Sequence, residues 1–291
     1  MRSGFISIVG KPNVGKSTLL NRLVGEHLAG VSKKPQTTRG VVRGIVNTQQ
    51  GQAVFLDTPG FHDPYDRLGE WMRGQIHQAM DGSDLIFWMV LPYPPRQDDE
   101  ELAQELRRSK VPVFLLINQV DRVAKPRVLP VIDAYRKFPF IQEIIPISSL
   151  KGDNLPVVLR KTFETLPENP PFFPDDILTD QNERSIVSEI IREKVFRFTG
   201  AEIPYSSAIE IEEFKERSET LTAIRAMIVV EKDSQRKIVI GQNGQKIKEI
   251  GQAARIDLEQ FLGKKVFLEL WVKTLKNWKK DPKVLKRLGF E

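Results

Sequence analysis

The octapeptide Gly10-Lys11-Pro12-Asn13-Val14-Gly15-Lys16-Ser17 fits G-x-x-x-x-G-K-[ST] in full, between an apolar run, FISIV, and a helix-like stretch, STLLNRL. That spacing suits a polyphosphate. The two glycines let main-chain N–H groups turn toward a β-phosphate, and Lys16 brings a point charge to the β and γ oxygens. Ser17 Oγ is placed to ligate Mg²⁺, and the following helix N-terminus, with Thr18, adds its positive end. Asp57-Thr58-Pro59-Gly60 follows AVFL, which puts a carboxylate behind such a metal and the Gly60 N–H near a γ-phosphate. Asn118-Gln119-Val120-Asp121 ends the run VFLLI. Asp121 there is able to accept from guanine N1 and N2, a donor pattern that adenine lacks. Ser148-Ser149-Leu150-Lys151-Gly152 follows IIPI and is placed to close over a base. NQVD alone is an ordinary strand-end turn; four motifs in this order select a guanine nucleotide, GTP or GDP.

A second glycine loop, Gly241-Gln242-Asn243-Gly244, lacks both the six-residue reach and the Lys-Ser pair of the first, so it cannot be another nucleotide site. It opens a helix carrying Lys246 and Lys248, and the apolar run IVI with Ile247 and Ile250 offers a groove wall. A G-x-x-G loop beside an apolar groove is what a KH module uses to clamp about four nucleotides of single-stranded RNA. Standing alone, the same four residues would be a tight turn.

These loops need elements to hold them. From Phe5 to about Leu166, short β-rich runs alternate with helical stretches, predicting an α/β domain with a mostly parallel sheet and helices on both faces. VVRGIVNTQQGQAVFLD instead reads as a hairpin through Asn47 to Gln52, adding one antiparallel edge strand. LPENPPFFPDD is rich in proline and acid and interrupts the pattern. The expected division is a nucleotide-binding domain over 1–167, a linker over 168–180 and a smaller α+β KH domain over 181–291. In the last, NERSIVSEIIREKVFRFTG and GQKIKEIGQAARIDLEQFLG read as helices, and AIEIEEF, TAIRAMIVVEKD and VFLELWVKTL as strands. Propensity makes QRKIVI a strand.

At 291 residues with 40% hydrophobic content the chain can bury a full core, and it has no cysteine, so neither disulfides nor thiolate metal sites are available. The apolar runs LIFWMVL and VFLLI fall far short of a membrane span, and MRSGFISIVG has no signal-like core, so a soluble, cytoplasmic protein is expected. Net charge is +6, unevenly spread. From Lys232 onward 15 Lys plus Arg face 7 Asp plus Glu, whereas the rest carries 29 against 31. A basic patch confined to one module suits a polyanion partner. Lys273, Lys276, Lys279, Lys280, Lys283 and Arg287 are expected to add phosphate contacts. Trp271 and Trp278 are read as packing more than stacking groups, and His27, His62 and His77 lack ligand spacing and are assigned no metal. A membrane-surface role stays a lesser reading, since the Lys-rich end has no large apolar face.

The guanine-nucleotide motifs over roughly Gly4 to Thr165, joined to the GQNG unit, resemble the Era family of bacterial ribosome-assembly GTPases, in the translation-factor class, over nearly the whole chain. The resemblance implies a monomeric, Mg²⁺-dependent GTP hydrolase whose nucleotide state gates binding to the 3′ end of small-subunit ribosomal RNA during assembly of the small ribosomal subunit. It makes Lys34-Pro35-Gln36-Thr37-Thr38-Arg39 the first switch, with the Mg²⁺-ligating hydroxyl on Thr38 and Thr37 the fallback. It also makes QRKIVI a short helix capped by Ser234. Gln119 stands where the family pattern has lysine, implying weaker nucleotide affinity with guanine readout kept by Asp121. Phe61 stands where many regulatory GTPases have a water-orienting glutamine. Relatives lacking that glutamine use a phosphate-loop asparagine to hold K⁺, which gives Asn13 that role. Lys16, Thr38, Gly60 and Asn13 are then the catalytic set. Gly241, Gln242, Asn243, Gly244, Lys246, Lys248, Lys276, Lys279 and Lys280 are the RNA-binding set. Two other readings are a GTPase of tRNA modification or large-subunit assembly, and an RNA-binding scaffold with structural nucleotide.

Overall fold

In the computed structural model, which describes residues 1–32, 34, 37–200 and 203–290, the chain forms two compact units. The first comprises Met1–Ala29, Thr38–Asp63 and Met72–Asp180; the second comprises Gly30–Thr37, Pro64–Trp71 and Gln181–Glu291. Pro35 and Gln36 of the expected switch lie outside the described residues.

The first unit is built on β1 (Arg2–Val9), α1 (Lys16–Val24), β2 (Val42–Thr48), β3 (Gly51–Asp57), α2 (Arg67–Asp81, its first turn grouped with the second unit), β4 (Leu85–Val90), α3 (Gln97–Arg108), β5 (Val113–Ile117), α4 (Val128–Tyr135), β6 (Ile141–Pro146) and α5 (Leu155–Thr165). The sheet order is β2-β3-β1-β4-β5-β6. Only β2 runs antiparallel to its neighbour, as the hairpin pattern predicts, closing tightly with Thr48 opposite Gly51. Every residue of β4 and β5 is buried, which is why they read as unbroken apolar runs rather than alternating ones. Trp88, fully buried, meets Tyr135 edge-on at 5.5 Å in the core between the sheet and α2, α3 and α4. Ile8 pairs with Asp57 and with Phe87, and Val90 pairs with Ile117. The loops after β1, β3 and β5 therefore leave the same end of the sheet, where parallel α/β sheets place their ligands.

The proline-rich segment after α5 is docked on the first unit rather than free as a linker. Gln52, fully buried on β3, accepts at Oε1 from the Phe172 and Phe173 N–H groups (2.8 and 3.0 Å) and donates from Nε2 to Phe173 O (2.8 Å). The Ile45 N–H on β2 donates to Leu178 O at 2.8 Å, so the segment covers an edge that composition alone leaves open.

The second unit orders α6 (Glu183–Phe198), α7 (Ile203–Ser206), β7 (Ser207–Ser218), β8 (Leu221–Val230), α8 (Asp233–Ile240), α9 (Gln245–Leu262), β9 (Lys265–Thr274) and α10 (Pro282–Arg287). Its sheet is β7-β8-β9, antiparallel then parallel. QRKIVI lies in helix α8, against its strand propensity, with Gln235 and Val239, four residues apart and so on one helix face, as its buried residues. Ser234 is not its cap. The helix starts at Asp233, and Gln235 Oε1 reaches back to the Glu231 and Lys232 N–H groups at 3.0 Å each. Among the described residues no helix is long and apolar enough to cross a membrane.

Candidate functional site

Gly10 and Gly15 shape the first loop. Gly15 has φ +103°, and a Cβ there would stand 2.3 Å from Asn118 Nδ2; at Gly10 it would meet Met89 O at 2.3 Å. Only glycine fits either position. The Lys16 Nζ donates to Gly10 O and Lys11 O, both at 3.1 Å, and burial brings its ammonium down to about 8, with the Asp57 charge opposing the fall. A buried ammonium held only by carbonyls is what a phosphate would relieve.

Three oxygens meet beside it. Ser17 Oγ donates to Asp57 Oδ2 at 2.6 Å, Thr38 Oγ1 donates to the same oxygen at 3.0 Å, and the two hydroxyls are 2.8 Å apart. Thr37 Oγ1 is engaged elsewhere, donating to Lys34 O at 2.9 Å, so Thr38 rather than Thr37 stands at the cluster. An all-oxygen set of two hydroxyls and a carboxylate fits a hard divalent cation such as Mg²⁺, whose chemistry would be to neutralise charge on phosphate oxygens. Thr58 is buried and anchors the turn by donating from Oγ1 to Ile8 O at 2.8 Å. Past Pro59, Gly60 abuts the phosphate loop: a Cβ would lie 2.7 Å from Pro12 Cγ. The Phe61 N–H donates to Gly10 O at 3.0 Å, and the ring is buried under the Arg73 guanidinium, 4.7 Å from its centroid. No side chain at that position can orient water by hydrogen bonding.

The base-side residues form one network. Asn118, 2% exposed, donates from Nδ2 to Val14 O (2.7 Å) and accepts at Oδ1 from Ser149 N (2.9 Å) and Ser149 Oγ (3.0 Å), tying three loops together. Ser148 Oγ donates to Asp121 Oδ1 at 2.7 Å, fixing the carboxylate that would face guanine. Gln119 sits at φ +63° with its Nε2 donating to Asn13 O at 3.2 Å, and Leu150 is exposed. Asn13 is exposed, with φ +64°.

In the second unit, Gly241-Gln242-Asn243-Gly244 joins α8 to α9 with Gly241, Asn243 and Gly244 all at positive φ. Beside it a groove of about 360 Å³ runs between α9 and β9, lined by Ile247, Lys248, Gln252, Arg255, Phe267 and Leu270 among others. Ile250 is not a wall residue, because it is fully buried beneath α9. Arg255 and the 58%-exposed Phe267 escaped the sequence reading; the glycine at 251 one turn before Arg255 was the available signal of an open helix face. Lys248, Lys276 and Lys280 are exposed, and Lys246 pairs with Glu249 at 2.9 Å. Lys279 is committed to Asp66 (3.3 Å) and Glu231 (3.2 Å), and Arg287 pairs with Glu210 at 3.4 Å, so neither stands ready for phosphate. Trp278 is fully buried, donating from Nε1 to Ser206 O at 3.0 Å; Trp271, 37% exposed, donates to Glu212.

Two family models match the chain: "50S ribosome-binding GTPase" over residues 5–119 and "KH domain" over 202–279. GTPase Era of Geobacter metallireducens is 48% identical over 99% of this chain and 98% of its own length, and GTPase Era of Ruminiclostridium cellulolyticum is 43% identical over 100% and 98%. The chain belongs to the Era family. It is a GTPase. Two solved Era structures each superpose with a TM-score of 0.96 at 40% identity, covering 100% of this chain and 99% of theirs. One is an Aquifex aeolicus Era variant bound to GDP and aluminium fluoride; the other is Era in complex with MgGDPNP and nucleotides 1506–1542 of 16S ribosomal RNA.

Proposed function

We propose that this Era-family chain is a Mg²⁺-dependent GTP hydrolase whose nucleotide state gates binding of the single-stranded 3′ end of small-subunit ribosomal RNA during subunit assembly. The observation that carries the gating is where the chain divides. Gly30–Thr37, ending one residue before Thr38, and Pro64–Trp71, just past the Asp57–Gly60 turn, group with the unit that holds the G-x-x-G loop. Lys34 Nζ donates to Phe196 O and Thr199 O at the end of α6, and the Val31 N–H donates to Glu193 Oε2 at 2.8 Å. Residues that respond to a γ-phosphate are thus continuous with segments belonging to the RNA-binding unit.

Ser17 and Thr38 hold the metal and Asp57 orients it from behind; Lys16 and the main-chain N–H groups of the first loop bind the phosphates. The Gly60 N–H meets the γ-phosphate, and Asp121 reads guanine. Asn13 would hold a K⁺ ion, whose chemistry there would be to supply positive charge where Phe61 leaves no polar side chain. The chemistry follows the same residues. Main-chain and ammonium donors stabilise charge on the transferring phosphoryl group as water attacks the γ-phosphorus and GDP leaves. Gly241–Gly244 clamps RNA backbone over the α9–β9 groove.

The test measures affinity for an oligonucleotide matching the 3′ end of small-subunit RNA and for a scrambled one, each with a non-hydrolysable GTP analogue and with GDP. Selective, tighter binding in the GTP-like state supports the reading, and four equal affinities defeat it. Hydrolysis in KCl against NaCl tests Asn13, with equal rates removing the ion from the site. The description of the matched GTPase family supports a second reading, a large-subunit RNA target, and a large-subunit RNA fragment in the same assay separates the two.

A further inference from the structure

Asp99 opens α3 and lies outside every nucleotide motif. Its side chain is 6% exposed, and Oδ2 takes two donors: the Arg96 N–H at 2.9 Å, which caps the helix, and Lys11 Nζ at 2.8 Å. Lys11 belongs to the phosphate loop, and its main-chain carbonyl is one of the two that hold the Lys16 ammonium. A small cavity of about 50 Å³, edged by Lys11, Tyr93, Arg96, Asp99 and Tyr135, lies beside this pair. Tyr135 closes it from the core, its hydroxyl pushed up by burial and by the Asp99 charge.

We infer that Asp99 is a positioning residue for GTP hydrolysis: by holding the Lys11 side chain away from the nucleotide, it fixes the main chain of the phosphate loop at the residue whose carbonyl steers Lys16. The loop takes φ values of +152°, +64° and +103° at Gly10, Asn13 and Gly15, and its second half is held by buried Val14 and by the Asn118 and Gln119 amides on Val14 O and Asn13 O, leaving Lys11 in the first half. Within that stretch, the Lys11–Asp99 pair fastens the loop to a helix N-terminus that is itself anchored in the core through Leu102 and Leu106, both fully buried. Donors aimed at developing charge contribute most when they do not have to reorganise. Loosening the pair therefore acts on turnover more than on binding.

Asp99→Asn is the informative change, since an amide oxygen still caps α3 through the Arg96 N–H while the charge facing Lys11 is gone. The full-length protein is assayed for kcat and KM with GTP, and for thermal midpoint, as Asp99→Asn, Lys11→Met, the double variant and Lys11→Arg. The inference expects kcat to fall about tenfold in either single variant with KM changed less than threefold and the midpoint within about 2 °C. The double variant is no worse than the singles, and Lys11→Arg retains turnover within about threefold. It is overturned if Asp99→Asn keeps kcat within twofold of the parent, if the two losses multiply in the double variant, or if lost activity tracks a lowered midpoint.

Discussion

Lys16 lies in the interior as an ammonium held by two carbonyls, and burial has brought its pKa from 10.5 to about 8. A lysine whose folded-state value lies below its unfolded value costs stability in full at pH 7, and that cost is relieved as pH rises from about 8 to 10.5. A bound polyphosphate reverses the shift by favouring the charged form. Nucleotide binding should therefore take up more proton at pH 9 than at pH 7. Calorimetry of GDP binding in two buffers of different ionisation enthalpy reads that difference directly; equal uptake at both pH values rules the mechanism out. The basic C-terminal residues divide at the same scale. Lys276 and Lys280 are exposed, whereas Lys279 is bound between Asp66 and Glu231. Replacing Lys276 or Lys280 with alanine should each flatten the salt dependence of single-stranded RNA affinity by about 0.7 in log–log slope if it contacts a phosphate, and Lys279→Ala should leave the slope unchanged. A slope change for Lys279→Ala would mean that its two carboxylate partners let go on binding RNA.

Elements explain which of these sites were readable in sequence and which were not. The loops after β1, β3 and β5 were legible because each combines a buried, mainly apolar strand end with polar residues of fixed type just beyond it, and chemistry and topology then agree. The C-terminal unit was harder. QRKIVI carries three β-branched residues and its local preference is extended, but burial of Gln235 and Val239 on one helix face, together with the reach of Gln235 to the helix start, makes it helical. Ile250 follows the apolar spacing of a wall residue, yet α9 turns it into the core and presents Ile247 instead. The proline-rich segment read as a linker because its composition forbids helix and sheet, and nothing local announced that a buried glutamine 120 residues earlier would bind its backbone. Where backbone geometry is the constraint, sequence and structure coincide. Gly241 has φ +74°, and a Cβ there would lie 2.5 Å from Lys246 Cβ. Gly241→Ala should force the α8–α9 loop open and weaken single-stranded RNA binding at least tenfold while GTP turnover without RNA stays within twofold. Loss of both activities together would show that the loop supports the whole fold rather than the RNA groove.

For the whole molecule, segments of the nucleotide-binding sequence that group with the RNA-binding unit offer the nucleotide a route to RNA. The stretch from Gly30 to Thr38 is one such place: Thr38 stands with Ser17 and Asp57, while Lys34 and Val31, a few residues earlier, are bound to α6. The Lys34 ammonium is shared by carbonyls at the end of α6, groups that a helix otherwise leaves without partners, and burial lowers its pKa. A ligand shifts an equilibrium only by its differential affinity for two states, so a switch needs a contact that one state keeps and the other strains. Lys34→Ala should remove it. With the thermal midpoint unchanged, RNA affinities measured with the GTP analogue and with GDP should then differ by less than twofold, while Lys34→Arg preserves the difference found in the parent. If Lys34→Ala keeps the parental ratio, the coupling runs instead through Pro64–Trp71, the other segment of the nucleotide-binding sequence that groups with the RNA-binding unit.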